Sequence, residues 1–411
     1  MNSSSNRQLW IVNHYASRPG EPALRHFNLA QALSHHGWQT TIIACSAQHY
    51  TGRQRLHGFQ LRATERFESV TFRWLRMRRY TRNGPIRILN MMGFALFALL
   101  PYATARLPRP DVIIGSTVHP LAPLSALVLA RRHNVPFILE IRDLWPETLI
   151  HLGQLRRDGR LAKSLVHLER FLCSQASEII VTMPFAREYL ATQGVSPDKV
   201  TWISNGVHAE TFRDQASVGA HEANKPQPSL DIGYFGALGR ANNLDQVLQG
   251  FALVTPSRGA LLHLMGAGPE EGNLRSLANE LKVADRVVFH PPVPPGDIPK
   301  FASKMDCLIL ALHDSPLYEY GISLNKLYEY MASGRPIVFA GNAKGNPLEN
   351  TGGAICVAPK AEQIAAALEQ MANMRPLERS RMGERNYTTA RTQFDFSVLG
   401  SILATLLETT R

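Results

Sequence analysis

Short apolar runs alternate with amphipathic stretches along nearly the whole chain, and this alternation constrains the fold more strongly than any other feature. Twelve of the runs are predicted to be β-strands: Leu9–Val12, Thr40–Cys45, Asp111–Gly115, Phe137–Ile141, Ile179–Thr182, Val200–Ile203, Ile232–Phe235, Leu261–Met265, Val287–Phe289, Cys307–Leu310, Ile337–Phe339 and Ala354–Val357. Because strands joined through helices pair in parallel by right-handed crossovers, the sequence predicts an α/β protein with two parallel sheets.

The length of the chain supports two separate α/β domains. A chain of 411 residues is too long for one ordinary core. The stretch from Gln215 to Ser229 is polar and contains proline, so it is predicted to be a linker. We therefore predict two Rossmann-like domains, residues 1–208 and 231–393, with residues 209–230 between them. The two domains are expected to face each other across a cleft, because ligands bind at the carboxyl ends of parallel strands.

Composition indicates a globular enzyme without metal-binding or secretory features. Hydrophobic residues make up 45% and charged residues 19% of the chain, which excludes a disordered chain. The four cysteines are scattered, so reduced thiols are expected, and the chain contains neither a D-x-D motif nor a His/Cys cluster suited to zinc. The first residues lead into a strand and lack the apolar core of a signal peptide. These features favour a cytoplasmic protein that requires no metal.

Positive charge is concentrated in the first half of the chain. Residues 1–205 carry 25 Lys and Arg against 12 Asp and Glu, a net charge of +13. Residues 206–411 carry 19 against 21, a net charge of −2. Six arginines lie between Arg73 and Arg87, and the segment Ile88–Ala105 that follows has no charged residue.

This basic and apolar segment, residues 73–105, has two main interpretations. It is either a buried helix beside a solvated loop, or a surface that docks on the anionic cytoplasmic face of the inner membrane. A transmembrane span is disfavoured because the uncharged run has 18 residues and contains Pro101. Nucleic acid is ranked last, because no recognition motif accompanies the basic patch.

The stretch EYGISLNKLYEYMASGRPIVF, residues 319–339, gives the strongest indication of a ligand site. Ser323 is predicted to cap a helix that stops at Gly334, with a core-facing stripe of Leu324, Leu327, Tyr328 and Met331. Lys326 and Glu329 lie off this stripe, near the positive end of the helix, where a lysine does little for stability. A lysine there suits a phosphate, and a carboxylate one turn later suits hydroxyl groups. The alternative is an ordinary surface pair.

Two glycine-containing turns follow strands in the second half of the chain. Gly236 and Arg240 belong to GALGR, where glycine lets an anion approach the backbone and arginine suits a phosphate. Gly266 and Gly268 belong to GAGP after the next strand. This second turn lacks the GxGxxG spacing, so a nicotinamide enzyme is disfavoured. Tight turns that need glycine for backbone reasons alone are the alternative.

The motif RDLWPE follows the predicted strand Phe137–Ile141. Asp143 suits a hydrogen bond from an acceptor hydroxyl, and Trp145 suits stacking on a sugar ring. Arg142 and Glu147 belong to the same motif and are candidates for the same side of the site. The alternative is a structural pair of Arg142 and Asp143, with Trp145 packed at a hinge.

Two further residues of the first half are candidates for the same cleft. His119 follows a predicted strand in STVHP and could line the cleft beside Asp143. Gly20, in the loop after the first strand, lets an acceptor or a phosphate approach the backbone closely.

Taken in order, these motifs resemble those of the GT-B retaining glycosyltransferases of family 4 over nearly the whole chain. The resemblance is carried by the loop at Gly20 and by RDLWPE, SNGV, GALGRANNLD, GAGP and NKLYEYMASGRPI, at residues 142–147, 204–207, 236–245, 266–269 and 325–337. More narrowly, the opening segment, RDLWPE and GISLNKLYEYMASGRP resemble bacterial O-antigen and capsule transferases of the N-acetyl-L-fucosamine-transferase-like group. The resemblance implies a GT-B fold whose last helix, within residues 394–411, packs back on the first domain.

The resemblance implies retaining transfer of a hexose or N-acetylhexosamine from a nucleoside-diphosphate sugar, with UDP favoured, to a lipid-linked saccharide. Lys326 and Arg240 would hold the diphosphate and Glu329 the ribose. Asp143 and His119 would lie near the reacting centre. A donor phosphate oxygen would help to take the acceptor proton, so neither a protein nucleophile nor a metal would be required. The alternatives are a sugar-nucleotide epimerase or hydrolase of the same fold, and a non-catalytic nucleotide-sugar-binding subunit.

Three positions depart from the pattern of many such transferases. Gly321 stands where many relatives have a glutamate, eight residues before Glu329. Ala237 and Asn242 stand where many have arginine and lysine, which leaves Arg240 as a displaced candidate for the diphosphate. Lys326 is therefore expected to be the main cation of the site.

Overall fold

The computed structural model describes residues 7–21, 23–49, 51–80, 84–117, 119–151, 153–215, 230–255 and 259–410. Contacts divide the chain into two units, residues 1–204 with 396–411 and residues 205–395. Most of the predicted linker, residues 216–229, lies outside the described residues. Its first part needs correction, because Ala209–Gln215 form a helix that belongs to the second unit.

The first unit is built on one mostly parallel sheet. Among the described residues its strands are β1 (Arg7–Val12), β2 (Trp38–Cys45), β3 (Arg62–Phe67), β4 (Val70–Leu75), β5 (Val112–Ser116), β6 (Phe137–Ile141), β7 (Glu178–Val181) and β8 (Val200–Trp202). Their order is β3-β4-β2-β1-β5-β6-β7-β8, and β3 is antiparallel to β4. Strands β2 to β4 lie on one side of β1 in the sheet, and strands β5 to β8 lie on its other side. The carboxyl ends of β1 and β5 therefore flank the switch point, where open α/β sheets bind ligands.

The helices of the first unit include the last helix of the chain. They are α1 (Arg25–Ser34), α2 (Pro85–Ala98), α3 (Pro101–Thr104), α4 (Leu121–His133), α5 (Glu147–His151), α6 (Arg160–Gln175), α7 (Ala186–Thr192) and α15 (Phe396–Thr409). Helix α15 packs closely on α1, since a methyl group added to Gly400 would lie 2.5 Å from Cβ of Ala32. Arg7 and Glu408 also form a salt bridge of 2.9 Å. The predicted return of the C-terminal helix to the first domain is confirmed.

The second unit contains a fully parallel sheet. Its described strands are β9 (Asp231–Phe235), β10 (Leu261–Met265), β11 (Val287–His290), β12 (Cys307–Ala311), β13 (Ile337–Ala340) and β14 (Ala354–Val357), in the order β11-β10-β9-β12-β13-β14. Its helices are α8 (Ala209–Gln215), α9 (Leu244–Leu253), α10 (Glu271–Glu280), α11 (Ile298–Ala302), α12 (Asn325–Ala332), α13 (Ala361–Asn373) and α14 (Pro376–Gln393). Strands β12 and β13 read CLILA and IVFA and are buried at every residue, as expected for strands covered on both faces.

The predicted architecture of two parallel sheets is confirmed. Each of the twelve predicted strands coincides with an observed strand, and their ends differ by one or two residues at most. The sequence analysis missed the hairpin of β3 and β4. Strand β3 has no apolar run, because it lies at the sheet edge with most of its side chains partly or fully exposed. Strand β4 contains Arg73, which is 4% exposed, so the predicted solvated basic segment in fact begins inside a strand.

Helix α2 has apolar side chains on two faces. One face packs into the first unit through Asn90, Met91, Phe94 and Ala98. The rest of the helix and the residues after it expose large apolar side chains, namely Ile86, Ile88, Leu89, Met92, Leu96, Leu100 and Tyr102. The interpretation of this segment as a buried helix is therefore wrong for about half of its surface. Within the described part of the chain, no helix is long and apolar enough to cross a membrane.

Candidate functional site

In the second unit, Tyr330 fixes helix α12 against the end of strand β9. Its hydroxyl accepts a hydrogen bond from the Phe235 amide (2.8 Å) and donates one to the Phe235 carbonyl (3.0 Å). The pairing of β9 with β12 covers Ile232 and Gly233, so the hydroxyl takes the place of a neighbouring strand at Phe235. This contact brings the first turn of α12 to the loop that follows β9.

Lys326, on the first turn of α12, reaches this loop. Its Nζ donates hydrogen bonds to the Tyr234 hydroxyl (3.1 Å) and to Oδ1 of Asn242, and it lies 4.8 Å from the centre of the Tyr234 ring. Burial lowers the pKa of Lys326 to about 7, and the nearby carboxylate of Glu329 opposes this shift in part. A half-buried ammonium held by neutral oxygens favours the binding of an anion.

Glu329 lies one turn further along α12, on the same side of the helix as Lys326. Burial raises the pKa of its carboxyl group to about 7, and the charge of Lys326 opposes the shift. A half-buried carboxylate can accept hydrogen bonds from sugar hydroxyls. Lys326 and Glu329 therefore present a cation and a hydroxyl-binding group from one face of a short helix.

The two glycine turns pack against each other. A methyl group added to Gly266 would lie 1.8 Å from the carbonyl oxygen of Gly236, and one added to Gly268 would lie 2.2 Å from that of Leu238. The Leu238 amide also donates to the Ala267 carbonyl at 3.0 Å. Gly236 (φ 142°) and Gly266 (φ 150°) have backbone angles that favour glycine. Backbone packing alone explains these glycines, and their part in donor binding stays a prediction.

Arg240 is exposed and lines a pocket of about 210 Å³ between α9 and α10. The polar residues around it are Asp245, Glu270, Asn273 and His313. Lys326 does not line this pocket, so the structure does not bring Arg240 and Lys326 into one described pocket. Two carboxylates beside Arg240 also oppose the binding of a diphosphate there. The assignment of Arg240 to the diphosphate stays a prediction, weaker than that of Lys326.

Ser323 does not cap α12, which corrects the sequence prediction. The helix begins at Asn325, and Leu324 takes the N-cap position without a side-chain hydrogen bond. The hydroxyl and the carbonyl of Ser323 instead each accept a hydrogen bond of 2.9 Å from Nδ2 of Asn205. Asn205 belongs to the SNGV motif. This contact therefore ties SNGV to the loop that leads into the Lys326 helix.

In the first unit, Asn90, His14 and His119 form a chain of hydrogen bonds. Nδ2 of Asn90 donates to the Arg78 carbonyl, so Oδ1 of Asn90 faces Nε2 of His14 at 2.8 Å and accepts from it. Nδ1 of His14 is then an acceptor, and Nε2 of His119 donates to it at 2.7 Å. The lone pair of His119 consequently lies on Nδ1, which is buried and has no hydrogen-bond partner among the described residues.

Burial keeps both of these histidines neutral. It lowers the pKa of His14 to about 3, although the hydrogen bond to Asn90 opposes the shift. Burial, with the nearby His14 ring and the charge of Arg87, also holds the pKa of His119 well below its usual value. A neutral imidazole with an unused lone pair can accept a hydrogen bond or a proton from a hydroxyl group. The place of His119 near the reacting centre stays a prediction.

Arg142, Asp143 and Trp145 of the RDLWPE motif lie in the loop that follows β6. The Arg142 amide donates to Oγ1 of Thr117 at 2.9 Å, which fixes the loop after the strand. Asp143 and Trp145 line a small pocket of about 20 Å³ together with Glu169. The Asp143 side chain reaches solvent but is surrounded by protein, and this desolvation raises its pKa, with Arg142 opposing. Asp143 is thus accessible to a substrate from one side.

Glu147 and Gly20 each have a structural reason for their identity. Glu147 begins α5, forms a salt bridge of 2.6 Å with Arg157 and lies 3.6 Å from His151. Gly20 has φ 83° in a turn closed by a hydrogen bond of 3.1 Å from the Glu21 amide to the Arg18 carbonyl. A contact of either residue with the acceptor stays a prediction.

A buried ion pair below these residues was missed by the sequence analysis. Glu140, on β6, accepts hydrogen bonds from Arg25 (3.0 Å) and His26 (2.6 Å). Burial opposes ionisation of Glu140, but His26 and Arg25 outweigh it and hold its pKa well below the usual range. Arg25 also donates to the carbonyls of Ile203 and Ser204. This network fixes the end of the first unit to the centre of its sheet.

Some site residues gave little signal in the sequence. Tyr330 falls inside an apolar helix and resembles an ordinary core aromatic residue, and Asn90 lies in an uncharged run. Glu140 in the strand FILEI was the clearest available signal, because a carboxylate in a buried parallel strand requires a partner. In the described part of the chain, no group of three His, Cys, Asp or Glu side chains is arranged to hold a metal ion.

Two family models match the chain, one in each half. Residues 22–206 match the model described as Glycosyl transferase 4-like domain. Residues 229–374 match the model described as Glycosyl transferases group 1. Together the two matches cover most of the chain.

Two curated proteins are similar to part of the chain. It is 22% identical over 247 residues to the protein named as glycosyltransferase WbjE of Pseudomonas aeruginosa, which is 60% of this chain and 61% of that protein. It is 23% identical over 203 residues to the protein named as teichuronic acid biosynthesis glycosyltransferase TuaH of Bacillus subtilis, which is 49% of each. The match thus spans between about half and three fifths of the length of these relatives.

Solved structures share the fold over the whole chain. Sucrose-phosphate synthase from Thermosynechococcus elongatus superposes with a TM-score of 0.71 at 15% identity, covering 98% of both chains. Anabaena HepE in complex with UDP and glucose gives 0.66 at 13% identity, covering 98% of this chain and 99% of that one. WaaG, a glycosyltransferase involved in lipopolysaccharide biosynthesis, gives 0.62 at 14% identity, covering 98% and 100%. The chain therefore has the GT-B fold, and residues 22–206 and 229–374 are similar to the glycosyl transferase 4-like and glycosyl transferases group 1 domains.

Proposed function

We propose that the protein is a retaining glycosyltransferase that moves a sugar from a nucleoside-diphosphate donor to a lipid-linked saccharide. The observation that carries this proposal is the pair Lys326 and Glu329 on one face of α12, held at the end of β9 by Tyr330. The similar proteins support it. HepE is in complex with UDP and glucose, and the names of TuaH and WaaG refer to teichuronic acid and lipopolysaccharide biosynthesis.

The second unit binds the donor. Lys326 and the N-terminus of α12 supply positive charge to the diphosphate, which makes a metal unnecessary. Glu329 accepts hydrogen bonds from the ribose hydroxyls. UDP is the favoured nucleotide. The transferred group is a hexose or an N-acetylhexosamine, and an N-acetylated amino or deoxy sugar agrees with the resemblance to the N-acetyl-L-fucosamine-transferase-like group.

The first unit binds the acceptor. His119 lies near the reacting centre, and its neutral imidazole adds no positive charge beside the acceptor hydroxyl. Asp143 contacts a further hydroxyl of the same saccharide. The acceptor oxygen attacks the anomeric carbon on the face from which the bond to phosphate breaks, and its proton passes to an oxygen of the leaving diphosphate. The anomeric configuration is retained, and no covalent intermediate with the protein forms.

The product belongs to a bacterial surface polysaccharide, such as O-antigen or capsule. A lipid-linked acceptor keeps its lipid in the bilayer, so the enzyme must work at the cytoplasmic face of the inner membrane. The exposed apolar face of α2 supports this location, because side chains such as Leu89 (63% exposed) and Leu96 (65%) gain by insertion into a membrane surface. The arginines on both sides of α2 favour anionic lipids.

A transfer assay tests this function. Purified protein, a panel of UDP-sugars and lipid-linked saccharides are incubated with a chelator, and the new linkage is examined by NMR. The proposal predicts a glycolipid product with a retained anomeric configuration. Consumption of donor without acceptor would support the epimerase or hydrolase instead. Binding of donor without turnover on any lipid-linked saccharide would support a non-catalytic subunit.

A further inference from the structure

Outside the donor and acceptor sites, the first unit contains a pocket lined by three arginines. It has a volume of about 330 Å³ and lies between the β3–β4 hairpin and the segment that follows α3. Its lining includes Arg62, Thr64, Thr71, Arg73 and Arg106. None of the described residues that line it is acidic. The side chains that face this pocket therefore offer hydrogen-bond donors and positive charge.

Arg73 is the buried member of this group. It is 4% exposed, and Nη2 donates to the Ala105 carbonyl at 3.2 Å. Its Nε is buried and has no acceptor among the described residues. Burial and the nearby charge of Arg62 lower the pKa of Arg73 to about 10. A buried guanidinium without a carboxylate is costly, and an anion in the pocket would compensate for its charge.

Arg62 shares the acceptor of Arg73. Its Nη1 lies 3.2 Å from the same Ala105 carbonyl, and it also donates to the carbonyl of Tyr102. Its guanidinium lies 4.1 Å from the centre of the Tyr102 ring. Two guanidinium groups on one carbonyl oxygen repel each other unless a negative charge lies between them.

The acidic residue of the hairpin nearest in sequence to the pocket residues forms hydrogen bonds with other side chains. Glu65 follows Thr64 on β3, and successive side chains of a strand point to opposite faces. Its Oε2 accepts hydrogen bonds from the Trp74 indole at 2.9 Å and from Arg18 at 3.2 Å. Glu65 therefore does not neutralise the three arginines.

We propose that this pocket binds the phosphate group of an anionic phospholipid. Guanidinium groups and the hydroxyls of Thr64 and Thr71 match the oxygens of a phosphate. The pocket adjoins the exposed apolar surface, because Tyr102, which contacts Arg62, is 50% exposed and follows the exposed Leu100. The inference rests on the membrane contact within the proposed function, and it assigns the headgroup site of that contact.

Calorimetric titration with dihexanoyl phosphatidylglycerol, below its micelle concentration, tests the pocket. The double variant Arg62→Gln, Arg106→Gln is compared with the matched variant Arg381→Gln, Arg391→Gln, which removes two exposed arginines from α14 of the second unit. The proposal predicts that the pocket variant binds at least about tenfold more weakly than the wild type, because two charge-assisted contacts are lost. The matched variant should change affinity by about twofold or less.

Several outcomes would overturn the proposal. An equal loss of lipid affinity in both double variants would indicate general attraction between charges. Unchanged affinity in both variants would show that the pocket does not bind the lipid. Arginine-dependent binding of inorganic phosphate without binding of the soluble lipid would refute the lipid assignment. If the double variant melts at a lower temperature, Arg106→Gln alone, an exposed position, provides the comparison. The titration requires no sugar transfer, so its failure is distinct from failure of the transferase assay.

Discussion

The Tyr330 hydroxyl lies 2.8 Å from the Phe235 amide and 3.0 Å from the Phe235 carbonyl. One side chain of α12 thereby completes the backbone hydrogen bonds at the end of β9. It also sets the position of Lys326 relative to Tyr234 of β9 and to Asn242 in the loop that follows this strand. The helix that carries the candidate donor site is thus held by a residue whose own hydroxyl is turned towards the sheet.

Replacing Tyr330 with phenylalanine is expected to lower stability and donor affinity together. The substitution keeps the ring but leaves the amide and carbonyl of Phe235 buried without this partner. The free energy of unfolding should fall by about 1–3 kcal/mol, measured by urea denaturation. Titration with UDP should show weaker binding, since α12 loses its fixed position. Unchanged stability and unchanged UDP affinity would contradict the proposed role of this contact.

Two glycine-to-alanine substitutions distinguish a glycine required by close backbone packing from a glycine that is not. Gly266→Ala places a methyl group 1.8 Å from the Gly236 carbonyl oxygen at φ 150°, so a loss of about 4 kcal/mol or more is expected. Gly272→Ala, on α10, meets no atom within 4 Å and should raise stability by up to about 1 kcal/mol. Thermal unfolding of the two variants measures the expected loss of stability in the first and the expected gain in the second. Similar effects in both variants would refute the packing explanation.

The buried pair His14 and His119 predicts a loss of stability at acidic pH. Both have lowered pKa values in the folded protein, whereas in the unfolded chain they ionise near the usual value. The unfolded state therefore binds more protons below about pH 6.5, and each histidine lowers the free energy of unfolding by up to about 1.4 kcal/mol per pH unit. Urea denaturation between pH 5 and 7 measures this slope. ¹⁵N NMR should find His119 neutral and protonated at Nε2 at pH 5.5, and an imidazolium signal would refute the hydrogen-bond chain.

The exposed face of α2 predicts binding to membranes. The double substitution Leu89→Ser, Leu96→Ser removes two apolar side chains from this face and should weaken sedimentation with anionic vesicles by at least about tenfold. The control variant Leu253→Ser, Leu377→Ser changes two comparably exposed leucines of the second unit and should sediment like the wild type. Equal behaviour of the two variants would show that α2 does not contact the bilayer.

The sequence predicted the sheets well because their signal is local. A buried parallel strand such as Cys307–Ala311 requires consecutive apolar residues, and these are visible in the sequence. The β3–β4 hairpin was missed because β3 is an exposed edge strand without an apolar run and because β4 contains the charged residue Arg73. Ser323 was misassigned as a cap because its actual partner, Asn205, lies far away in the chain. Tyr330 was missed for the same reason, since its role depends on a distant strand end.

The pKa of Lys326 predicts a pH dependence of donor binding. A bound diphosphate favours the ammonium form, so binding must protonate Lys326 when the pH exceeds about 7. Affinity for UDP should therefore fall with rising pH, by at most about tenfold per unit. Titrations in buffers of different ionisation enthalpy measure the proton uptake directly. The variant Lys326→Arg, whose guanidinium stays charged, should bind UDP without this pH dependence. An identical fall in UDP affinity at alkaline pH in the variant would contradict the assignment.

The most direct test of the central claim is calorimetric titration of UDP into the wild type, Lys326→Gln and Lys360→Gln, without added metal at pH 7. Lys360 is an exposed lysine of the same unit and gives a matched loss of charge. If Lys326 holds the diphosphate, Lys326→Gln should lose at least about tenfold in affinity while remaining folded, and Lys360→Gln should bind like the wild type. Equal UDP affinity in all three proteins would contradict the placement of the donor site on α12.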